Sequence, residues 1–464
     1  MSSSAHFPDP PNFQQQSDEF ISWLEASPGV RVNSKIVLAD LRSSGAGRGV
    51  VARTNIPEGE ELFSIPRSVI LTVQNSQLKS LLAQDIEQLG PWLSLMLVML
   101  YEYLQGPQSR WAPYFRILPT RFDTLMFWSQ AELQELQGSA IVDKIGKEAA
   151  DESILESIAP IVRAHPDIFP PIKGLDSYEG EVGTTVLLEL AHTMGSLIMA
   201  YAFDIEKPED DNEEPEDEDE NYMTDDEDEQ LPKGMVPLAD LLNADADRNN
   251  ARLYQEEEAL VMKAIKPIQQ GEEIFNDYGE IPRADLLRRY GYVTDNYAQY
   301  DVVEISLGDV CQAAGLANSD VESQPRLQLL DEHDLLDDGY LVVLLTTLTL
   351  SPEDFEQRKS KNKPPKPSMD ANQAGTLAKV LQAKLSLYGS SLNEDVQLLA
   401  SIPPQPALEG SARRRRMALQ VRIGEKEVIQ AVLSMLEPIV GGSSLKRSAN
   451  GDSHDSRQAK TPRF

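Results

Sequence analysis

The first 70 residues change from a helical to a strand-like pattern of apolar positions. An apolar stripe from Phe20 to Leu24 follows the capping residues Ser17 and Asp18, which predicts that a helix opens the ordered chain. Short apolar runs separated by Gly and Pro turns then predict three strands, at 36–41, 50–52 and 61–65. Residues 1–16 are polar, contain three prolines and are predicted to be disordered.

The middle of the chain is helical by the same criterion. Apolar positions recur at helical spacing around 92–104, 130–136, 149–164 and 184–203. The strand pattern returns at Met235, with a hairpin formed by 251–254 and 259–264 and a short strand at 271–275. We therefore expect a β-rich domain over 17–308, interrupted by a helical insert at about 76–234.

The last third of the chain is predicted to form a separate all-α domain at 309–441. Helical patterns occupy 327–350, 371–387, 393–399 and 410–436, and a basic, proline-rich loop lies at 360–367. Residues 442–464 are polar and are predicted to be disordered. The expected fold class is α+β, with an insert-bearing β-rich domain followed by an all-α domain.

The charge of the chain narrows the choice of partners. The 464 residues carry a net charge of −33, and the tract 206–230, with 16 acidic residues and one lysine, supplies −15 of it. This tract is nearly free of apolar residues, so we expect a disordered loop. An acidic surface repels phosphates, which argues against direct nucleic-acid binding and is compatible with a basic protein partner. The tract either steers such a partner or is only a solvated loop.

The sequence lacks the features of disulfide-bonded, cysteine-rich zinc-binding, secreted and membrane-spanning proteins. Cys311 is the single cysteine, so neither an intrachain disulfide nor a cysteine-rich zinc site can form. The N-terminus has neither the basic nor the apolar region of a signal peptide. The longest apolar stretches, 92–104, 186–203 and 341–350, are too short or are interrupted by polar residues. They are predicted to be buried helices, and no membrane partner is expected.

Two motifs contain groups that can bind a ligand: one has a flexible backbone, and the other has an asparagine side chain. The glycine-rich turn 45–49 joins two strands, so it offers no helix N-terminus to a phosphate, but its backbone can approach a ligand closely. The run PLADLLNA places Asn243 at the end of a buried segment, where its carboxamide can donate and accept hydrogen bonds. Taken singly, the turn is better explained as a plain hairpin and Asn243 as a turn-forming residue.

Two further motifs contain tyrosines. GEEIFNDYG places Tyr278 after a short strand, and LLRRYGY places Tyr290 and Tyr292 around a glycine that can end a helix. A tyrosine at such a position can be an ordinary core aromatic residue. That interpretation does not explain why three tyrosines gather in so short a stretch.

Together and in this order, the four motifs resemble the SET domain, in the subgroup typified by the plant Rubisco large-subunit lysine methyltransferase. The helical insert and the helical C-terminal half are similar to that subgroup, and LADLLNAD and LLRRYGYV are most similar to its fungal ribosomal type. The resemblance implies an S-adenosylmethionine-dependent protein-lysine N-methyltransferase whose all-α domain binds the substrate. It implies a basic substrate, either a ribosomal protein, foremost of the large subunit, or a histone-like protein.

The resemblance also implies roles for individual residues. Tyr278 would be the catalytic tyrosine, and no metal is implied. The residues expected to hold the cofactor are Gly47, Arg48, Gly49, Tyr201, Asn243, Ala244 and Tyr290. The residues expected to contact the substrate are Trp111, Asp204 and Tyr292.

One position departs from the family pattern, because most SET domains have Asn-His where this chain has Asn243-Ala244. If that position acts through its backbone, alanine serves; if the imidazole matters, cofactor affinity falls. Two other functions stay open. A histidine methyltransferase of the same family needs less adjustment of the acceptor's pKa, and a non-catalytic SET module would bind proteins through its helical half. Intact Asn243 and Tyr278 argue against the second.

The resemblance further implies a monomer in the nucleus, with the cytoplasm as a second location. The basic run 413–416 continues into a helical pattern, so it is predicted to be a helix face rather than a localisation signal. Lys446, Arg447 and Lys460 in the tail form only a weak basic signal.

Overall fold

The computed structural model describes residues 12–44, 46–206, 231–316, 319–321, 324–336, 340–404, 408 and 410–441. Three segments that are predicted to be disordered lie outside the described residues. They are the N-terminus at 1–11, the acidic tract at 207–230 and the tail at 442–464. The chain divides into two compact units. The first contains the segments up to 135, 141–300 and 399–420, and the second contains 136–140, 301–398 and the chain from 421.

The β-strands described all belong to the first unit. They are β1 Arg31–Val32, β2 Ile36–Asp40, β3 Arg48–Ala52, β4 Glu61–Pro66, β5 Ala202–Asp204, β6 Lys233–Met235, β7 Ala251–Gln255, β8 Ala259–Ala264 and β9 Glu273–Ile274. The predicted strands and the predicted hairpin are therefore present, with ends that differ by one or two residues, as is usual for such boundaries.

The strands form three small antiparallel sheets. Their orders are β1-β4-β8-β7, β2-β3-β9 and β5-β6. In the second sheet Val50 of β3 pairs with Ile274 of β9. Arg48 and Gly49 of the predicted turn belong to β3 itself, so this pairing places the glycine motif next to the segment that leads to Tyr278.

The N-terminal helix, Phe13–Ala26, begins four residues before the predicted start at Ser17. Phe13 is only 3% exposed, and the guanidinium of Arg48 lies 4.0 Å from the centre of its ring. The prediction that residues 1–16 are disordered is therefore wrong for Phe13 to Gln16, because a contact distant in sequence stabilises this first turn.

The predicted helical insert is helical in the structure. Its α-helices are Leu78–Leu81, Ala83–Glu87, Pro91–Gln105, Ala112–Phe115, Gln130–Leu133, Lys147–Ser153, Ala159–Ala164 and Gly180–Tyr201. A π-helical turn, Ile154–Ile158, joins two of them. The last helix ends at Tyr201 rather than Phe203, because Ala202–Asp204 pairs with Lys233–Met235 as a strand.

Helix Gly180–Tyr201 is long and apolar enough to cross a membrane by length and composition alone. The core helix of a soluble protein passes the same test, so the property is weak evidence. In this chain the helix packs beside Pro91–Gln105, and Leu187, Ala191 and Leu197 are buried in the core of the first unit.

The second unit is entirely helical in its described part. Its helices are Leu307–Ala313, Pro325–Asp331, Leu341–Thr349, Pro352–Ser360, Ala371–Ser386 and, divided between the two units, Leu392–Ser401 and Gly410–Val440. The single helix predicted at 327–350 is wrong. Asp334 has φ +54°, a left-handed conformation that ends a helix, so two shorter helices form.

The division of the chain differs from the predicted domains, whose boundary lay at 308/309. Residues 136–140 of the insert belong to the second unit. There the Tyr388 ring lies against Gly138, 2.9 Å from where a Cβ would stand, and Ser139 Oγ donates a 2.6 Å hydrogen bond to Glu425. Such contacts between distant segments are invisible to local sequence patterns.

Candidate active site

A cavity of about 550 Å³ opens in the first unit, where the four sequence motifs meet. Its volume is in the range of small-molecule sites. Most of the residues predicted to form the site line it: Gly47, Arg48, Tyr201, Asn243, Ala244, Tyr278, Tyr290 and Tyr292. The structure thus brings together residues that are separated by up to 245 positions in the chain.

Gly47 and Arg48 of the glycine motif line the cavity, whereas Gly49, in strand β3, stands just behind the lining residues. A Cβ on Gly49 would lie 2.5 Å from Leu41 Cδ1, 2.9 Å from Glu273 Oε1 and 3.1 Å from Asn243 Nδ2. The absence of a side chain at this position therefore lets the polar groups of Asn243 and Glu273 stand close to the turn. Gly45, the first glycine of the motif, lies outside the described residues.

The side chain of Arg48 is directed towards the N-terminal helix. Its guanidinium donates to the carbonyl of Ile117 at 2.9 Å and to Ser17 Oγ at 3.1 Å. The main-chain carbonyl oxygen of Arg48, in contrast, accepts a hydrogen bond from Asn243 Nδ2 at 3.4 Å. Arg48 therefore contributes its main chain to the site.

Asn243 links the glycine turn to the strand β9. Besides its contact with Arg48, its Nδ2 donates to Glu273 Oε1 at 2.6 Å. Its carbonyl accepts from the amide of Asn276 at 2.9 Å. The carboxamide is thus held by partners on both sides, and the segment of Tyr278 is fixed beside it.

Ala244 acts through its backbone in this structure. It forms an isolated parallel bridge with Asn276, which the amide of Asp245 extends by donating to the carbonyl of Asn276 at 3.2 Å. No imidazole is needed for this pairing, so alanine fulfils the structural role of the position.

Three tyrosines form one wall of the cavity. The rings of Tyr278 and Tyr290 are stacked, with centres 4.3 Å apart and an interplanar angle of 9°, and Tyr292 lies 6.3 Å from Tyr290. Helix Arg283–Tyr290 ends at Gly291, whose φ of +74° turns the chain so that both tyrosines reach the cavity. A Cβ there would lie 2.9 Å from the amide nitrogen of Thr124, so glycine is required at this turn.

The phenols of this wall remain protonated at neutral pH. Burial, and then the neighbouring tyrosines, raise the pKa of Tyr278 and of Tyr292 well above the usual value of 10. The Tyr278 hydroxyl donates to the carbonyl of Leu242 at 3.5 Å. Tyr278 is therefore available as a hydrogen-bonding group and not as a general base.

Asp240 lines the cavity and was missed by the motif analysis. It is 5% exposed, its Oδ2 accepts from the hydroxyl of Tyr114, and its Oδ1 has no hydrogen-bond partner among the described residues. Burial raises the pKa of Asp240 to about 7. The signal was present in PLADLLNA, because a carboxylate inside an apolar run is unusual away from functional sites.

Two further carboxylates in the lining were also missed. Asp245 accepts from Arg248 at 2.8 Å and from Asn296 at 2.8 Å, and Glu273 accepts from Asn243. Burial raises the pKa of Glu273. Nothing in the sequence GEEIF marks Glu273 as the cavity residue rather than its neighbour Glu272.

Two predicted substrate contacts do not lie at the cavity. Trp111 is 1% exposed, and its indole N–H donates to the carbonyl of Val69 at 3.0 Å. The role predicted for Trp111 is therefore wrong, since a fully buried core ring cannot contact a protein substrate. Asp204, in β5, pairs with Lys233 of β6 at 2.7 Å and is absent from the lining.

Replacing Asp240 by asparagine is expected to stabilise the protein at alkaline pH. The folded carboxyl, with its pKa of about 7, keeps a proton that the unfolded chain has already released. Stability therefore falls as pH rises from about 4 through about 7. Asparagine stays neutral, so the difference in melting temperature between Asp240→Asn and wild type should become more positive between about pH 5 and about pH 8. The avoided cost is on the order of 4 kcal/mol at most.

Asp245→Asn is the matched control for this measurement. Hydrogen bonds from Arg248 hold the pKa of Asp245 below its usual value of 3.8. Its stabilising contribution is present above that value and is lost only in more acidic solution. The control should therefore destabilise by an equal amount at both pH values. An equally constant difference for Asp240→Asn would contradict the assignment of a raised pKa.

Comparison with known proteins identifies two family regions in the chain. The SET domain matches residues 47–279, half of the chain, and the Rubisco LSMT substrate-binding family matches residues 310–429. The chain is also similar to solved structures of Rubisco LSMT. One, bound to AdoMet, has a TM-score of 0.64 at 20% identity over 92% of this chain and 93% of that one. This likeness concerns the fold.

Named relatives agree with the family match. Ribosomal lysine N-methyltransferase 4 of Saccharomyces cerevisiae is 36% identical over 309 residues, which cover 65% of this chain and 60% of that protein. N-lysine methyltransferase SETD6 of Bos taurus is 30% identical over 467 residues, covering 90% of this chain and 94% of that protein. The counterpart in Xenopus laevis is 29% identical over 90% of this chain and 94% of its own length.

The fold and the site define a SET-domain methyltransferase, and the chain belongs to the SET-domain family. Within that family it is an S-adenosylmethionine-dependent protein-lysine N-methyltransferase of the type that carries a Rubisco LSMT substrate-binding domain. This confirms the fold class, the family, the enzyme class and the cofactor that the sequence motifs predicted.

The residues of the cavity fit the cofactor. S-adenosylmethionine carries an ammonium, a carboxylate, a sulfonium and an adenine ring. The cavity offers the carbonyl of Arg48, the Asn243 carboxamide and the aromatic ring of Tyr290. Acceptors for cationic groups and a flat apolar surface are thus both present.

Proposed function

We propose that this lysine methyltransferase modifies a lysine of a ribosomal protein, most specifically one of the large subunit. The observation that supports the reaction is the wall of stacked tyrosines facing Asn243 and the glycine turn in one cavity. The ribosomal substrate is supported by the 36% identity to a relative named ribosomal lysine N-methyltransferase 4. The net charge of −33 is compatible with a strongly basic substrate.

The tyrosine wall suits the acceptor. A free lysine side chain has a pKa near 10.4, so it enters as an ammonium and must become a neutral amine before it can attack. A site lined by the rings of Tyr278, Tyr290 and Tyr292 disfavours the ammonium form of the lysine and lowers the lysine pKa. The same rings attract the cation before it loses its proton.

Tyr278 positions the reacting groups. S-adenosylmethionine supplies an electrophilic methyl group when it is bound. The Tyr278 phenol, protonated and directed by the Leu242 carbonyl, can hydrogen-bond the amine and hold it in line. Asn243 and the main chain at Arg48, which are hydrogen-bonded to each other, form another part of the cavity lining. The acceleration then comes mainly from positioning in a fixed electrostatic environment.

Labelled cofactor and purified ribosomal subunits test the substrate. The subunits come from cells that lack this gene, so that the acceptor lysine is unmodified. Label in one protein of the large subunit, located by mass spectrometry on a lysine and absent with the Tyr278→Phe enzyme, is the expected result. Label confined to histones or to other non-ribosomal proteins of the same extract would contradict the ribosomal assignment and leave the lysine methyltransferase class intact.

The lysine acceptor is favoured over histidine because the three relatives reported above are named lysine methyltransferases.

We further propose, from the resemblance described above, that the enzyme acts in the nucleus. The basic run 413–416 lies within helix Gly410–Val440, and Arg414 is paired with Asp123 and Glu132, so this run is not a free localisation signal. Cell fractionation of the tagged full-length chain tests the location, and an exclusively cytoplasmic signal would contradict it.

A further inference from the structure

The sequence contains two basic clusters, and the first is neutralised in the fold. Arg413 and Arg414 pair with Asp123 at 3.4 Å and 3.0 Å. Arg414 also pairs with Glu132 at 2.9 Å, and Arg415 pairs with Glu135 at 3.3 Å. These ion pairs neutralise the arginine cluster, so it offers little positive charge to a binding partner.

The second cluster is free of such pairing. It consists of Lys359, Lys361, Lys363 and Lys366, here called the lysine loop, and all four residues are exposed. In the described part of the chain, none of the four ammonium groups has an ion pair. Residues 357–369 contain no acidic residue. Four uncompensated positive charges therefore stand within eight residues of a chain that is otherwise strongly acidic.

The lysine loop is fixed at its beginning. Helix Pro352–Ser360 ends where the amides of Lys361 and Lys363 both donate to the carbonyl of Arg358, at 3.1 Å and 3.2 Å. Asn362 adopts the left-handed φ of +43° that such a helix end requires. The Arg358 guanidinium reaches forward to the carbonyl of Pro364 at 3.5 Å.

The loop is also fixed at its other end. Thr346 Oγ1 accepts from the amide of Ser368 at 3.0 Å. Pro365 is buried, and the three prolines 364, 365 and 367 restrict φ. A segment held in this way loses less conformational entropy on binding than a flexible tail of the same charge.

The acidic average of the chain does not cancel this local charge. Exposed charges are screened beyond a Debye length of about 8 Å at physiological ionic strength. Along the chain, Glu356 precedes Lys359 by three residues and Asp370 follows Lys366 by four, whereas Lys361 and Lys363 stand at least five residues from any acid. The expectation of no direct nucleic-acid binding rests on the average charge of the chain, from which this local surface departs.

We propose that the lysine loop binds the phosphodiester backbone of RNA that accompanies the protein substrate. Lysine ammonium groups bind phosphates as point charges without demanding one geometry, which suits a run of phosphates. A basic protein substrate would be repelled by this loop, whereas the RNA on which such a protein is assembled would be attracted. The inference rests on the proposed ribosomal substrate. It is supported by the position of the loop within the substrate-binding match at 310–429.

Binding of a single-stranded RNA to the full-length protein tests the proposal. The RNA has about 20 nucleotides of mixed sequence, which exceeds a typical binding site. Its Kd is measured between about 50 and about 200 mM salt, because the slope of log K against log salt counts neutralised phosphates. The variant Lys359→Gln, Lys361→Gln, Lys363→Gln and Lys366→Gln should weaken binding at low salt at least tenfold. Its salt slope should fall by about 3.

A matched control removes the same charge elsewhere. Lys79, Lys147, Lys173 and Lys379 are exposed and scattered over the chain, and changing all four to glutamine should leave the RNA affinity close to wild type. Equal weakening by the control, or an unchanged Kd in the lysine-loop variant, would overturn the proposal. Displacement of the RNA by polyglutamate at equal charge concentration would also overturn it, because the partner would then be an acidic protein.

Methylation assays separate this inference from the proposed function. The lysine-loop variant should methylate the isolated, RNA-free ribosomal protein with wild-type kcat/KM but should lose at least several-fold in kcat/KM on the assembled ribonucleoprotein. Equal kcat/KM on both forms would overturn the inference while leaving the ribosomal substrate standing. If no ribosomal protein is methylated, the proposed function fails, and the RNA-binding measurement still decides whether the loop is a phosphate-binding surface.

Discussion

Tyr278→Phe is expected to lower kcat by about a hundredfold or more, as the removal of one positioned hydrogen-bonding group does in other enzymes. The hydroxyl makes only a long bond of 3.5 Å to the Leu242 carbonyl, so its loss should hardly change stability. The ring remains, and with it the stacking on Tyr290 at 4.3 Å. Single-turnover methylation and a thermal melt measure the two effects.

Tyr254→Phe is the matched control for that variant. Tyr254 lies in strand β7, is 39% exposed and does not line the cavity, so the same chemical change should leave kcat unaltered. Wild-type turnover by Tyr278→Phe on the true substrate would refute the catalytic role. A large fall in its melting temperature would show that the hydroxyl is structural instead.

The second large effect is expected for Asn243→Ala, which should weaken S-adenosylmethionine binding at least tenfold. The change removes the donor to the Arg48 carbonyl and leaves the half-buried Glu273 without its 2.6 Å hydrogen bond. An unpaired buried acceptor costs about 1 to 3 kcal/mol, so a moderate loss of stability should accompany the loss of affinity. Calorimetric titration with the cofactor measures the first effect and a thermal melt the second.

Asn249→Ala controls for the loss of an amide nearby. Asn249 donates to Asp277 at 3.1 Å but is not part of the cavity lining, so its replacement should keep cofactor affinity within about twofold, as for an ordinary surface change. If the two variants bound the cofactor equally well, the assignment of Asn243 to the cofactor would be wrong.

The main features of the site could be predicted from sequence because each leaves a local mark. The tyrosines around Gly291 stand out from an ordinary helix end, and Asn243 follows an apolar run. The structure adds the contacts that join these residues into one site: Tyr278 stacks on Tyr290, and Asn243 contacts the glycine turn.

Other features depend on contacts between distant segments and leave no local mark. Trp111 has the composition of a ligand-binding aromatic residue, yet its indole is buried against Val69. Glu273 and Glu272 are equivalent in sequence, and only the pairing of β9 with β3 directs Glu273 to the cavity. The early start of the N-terminal helix likewise depends on Arg48, which stands 35 residues away from Phe13.

The contact of Arg48 with the N-terminal helix determines where a functional fragment of this enzyme can begin. The SET-domain match starts at residue 47, and a shortened version designed from it would omit Phe13 and Ser17. Arg48 would then lose its contacts with Phe13 and Ser17, and its buried guanidinium would border the space left by the helix. Residues 13–26 should therefore be retained whenever the catalytic unit is expressed alone, fused to another protein or transplanted into a chimera.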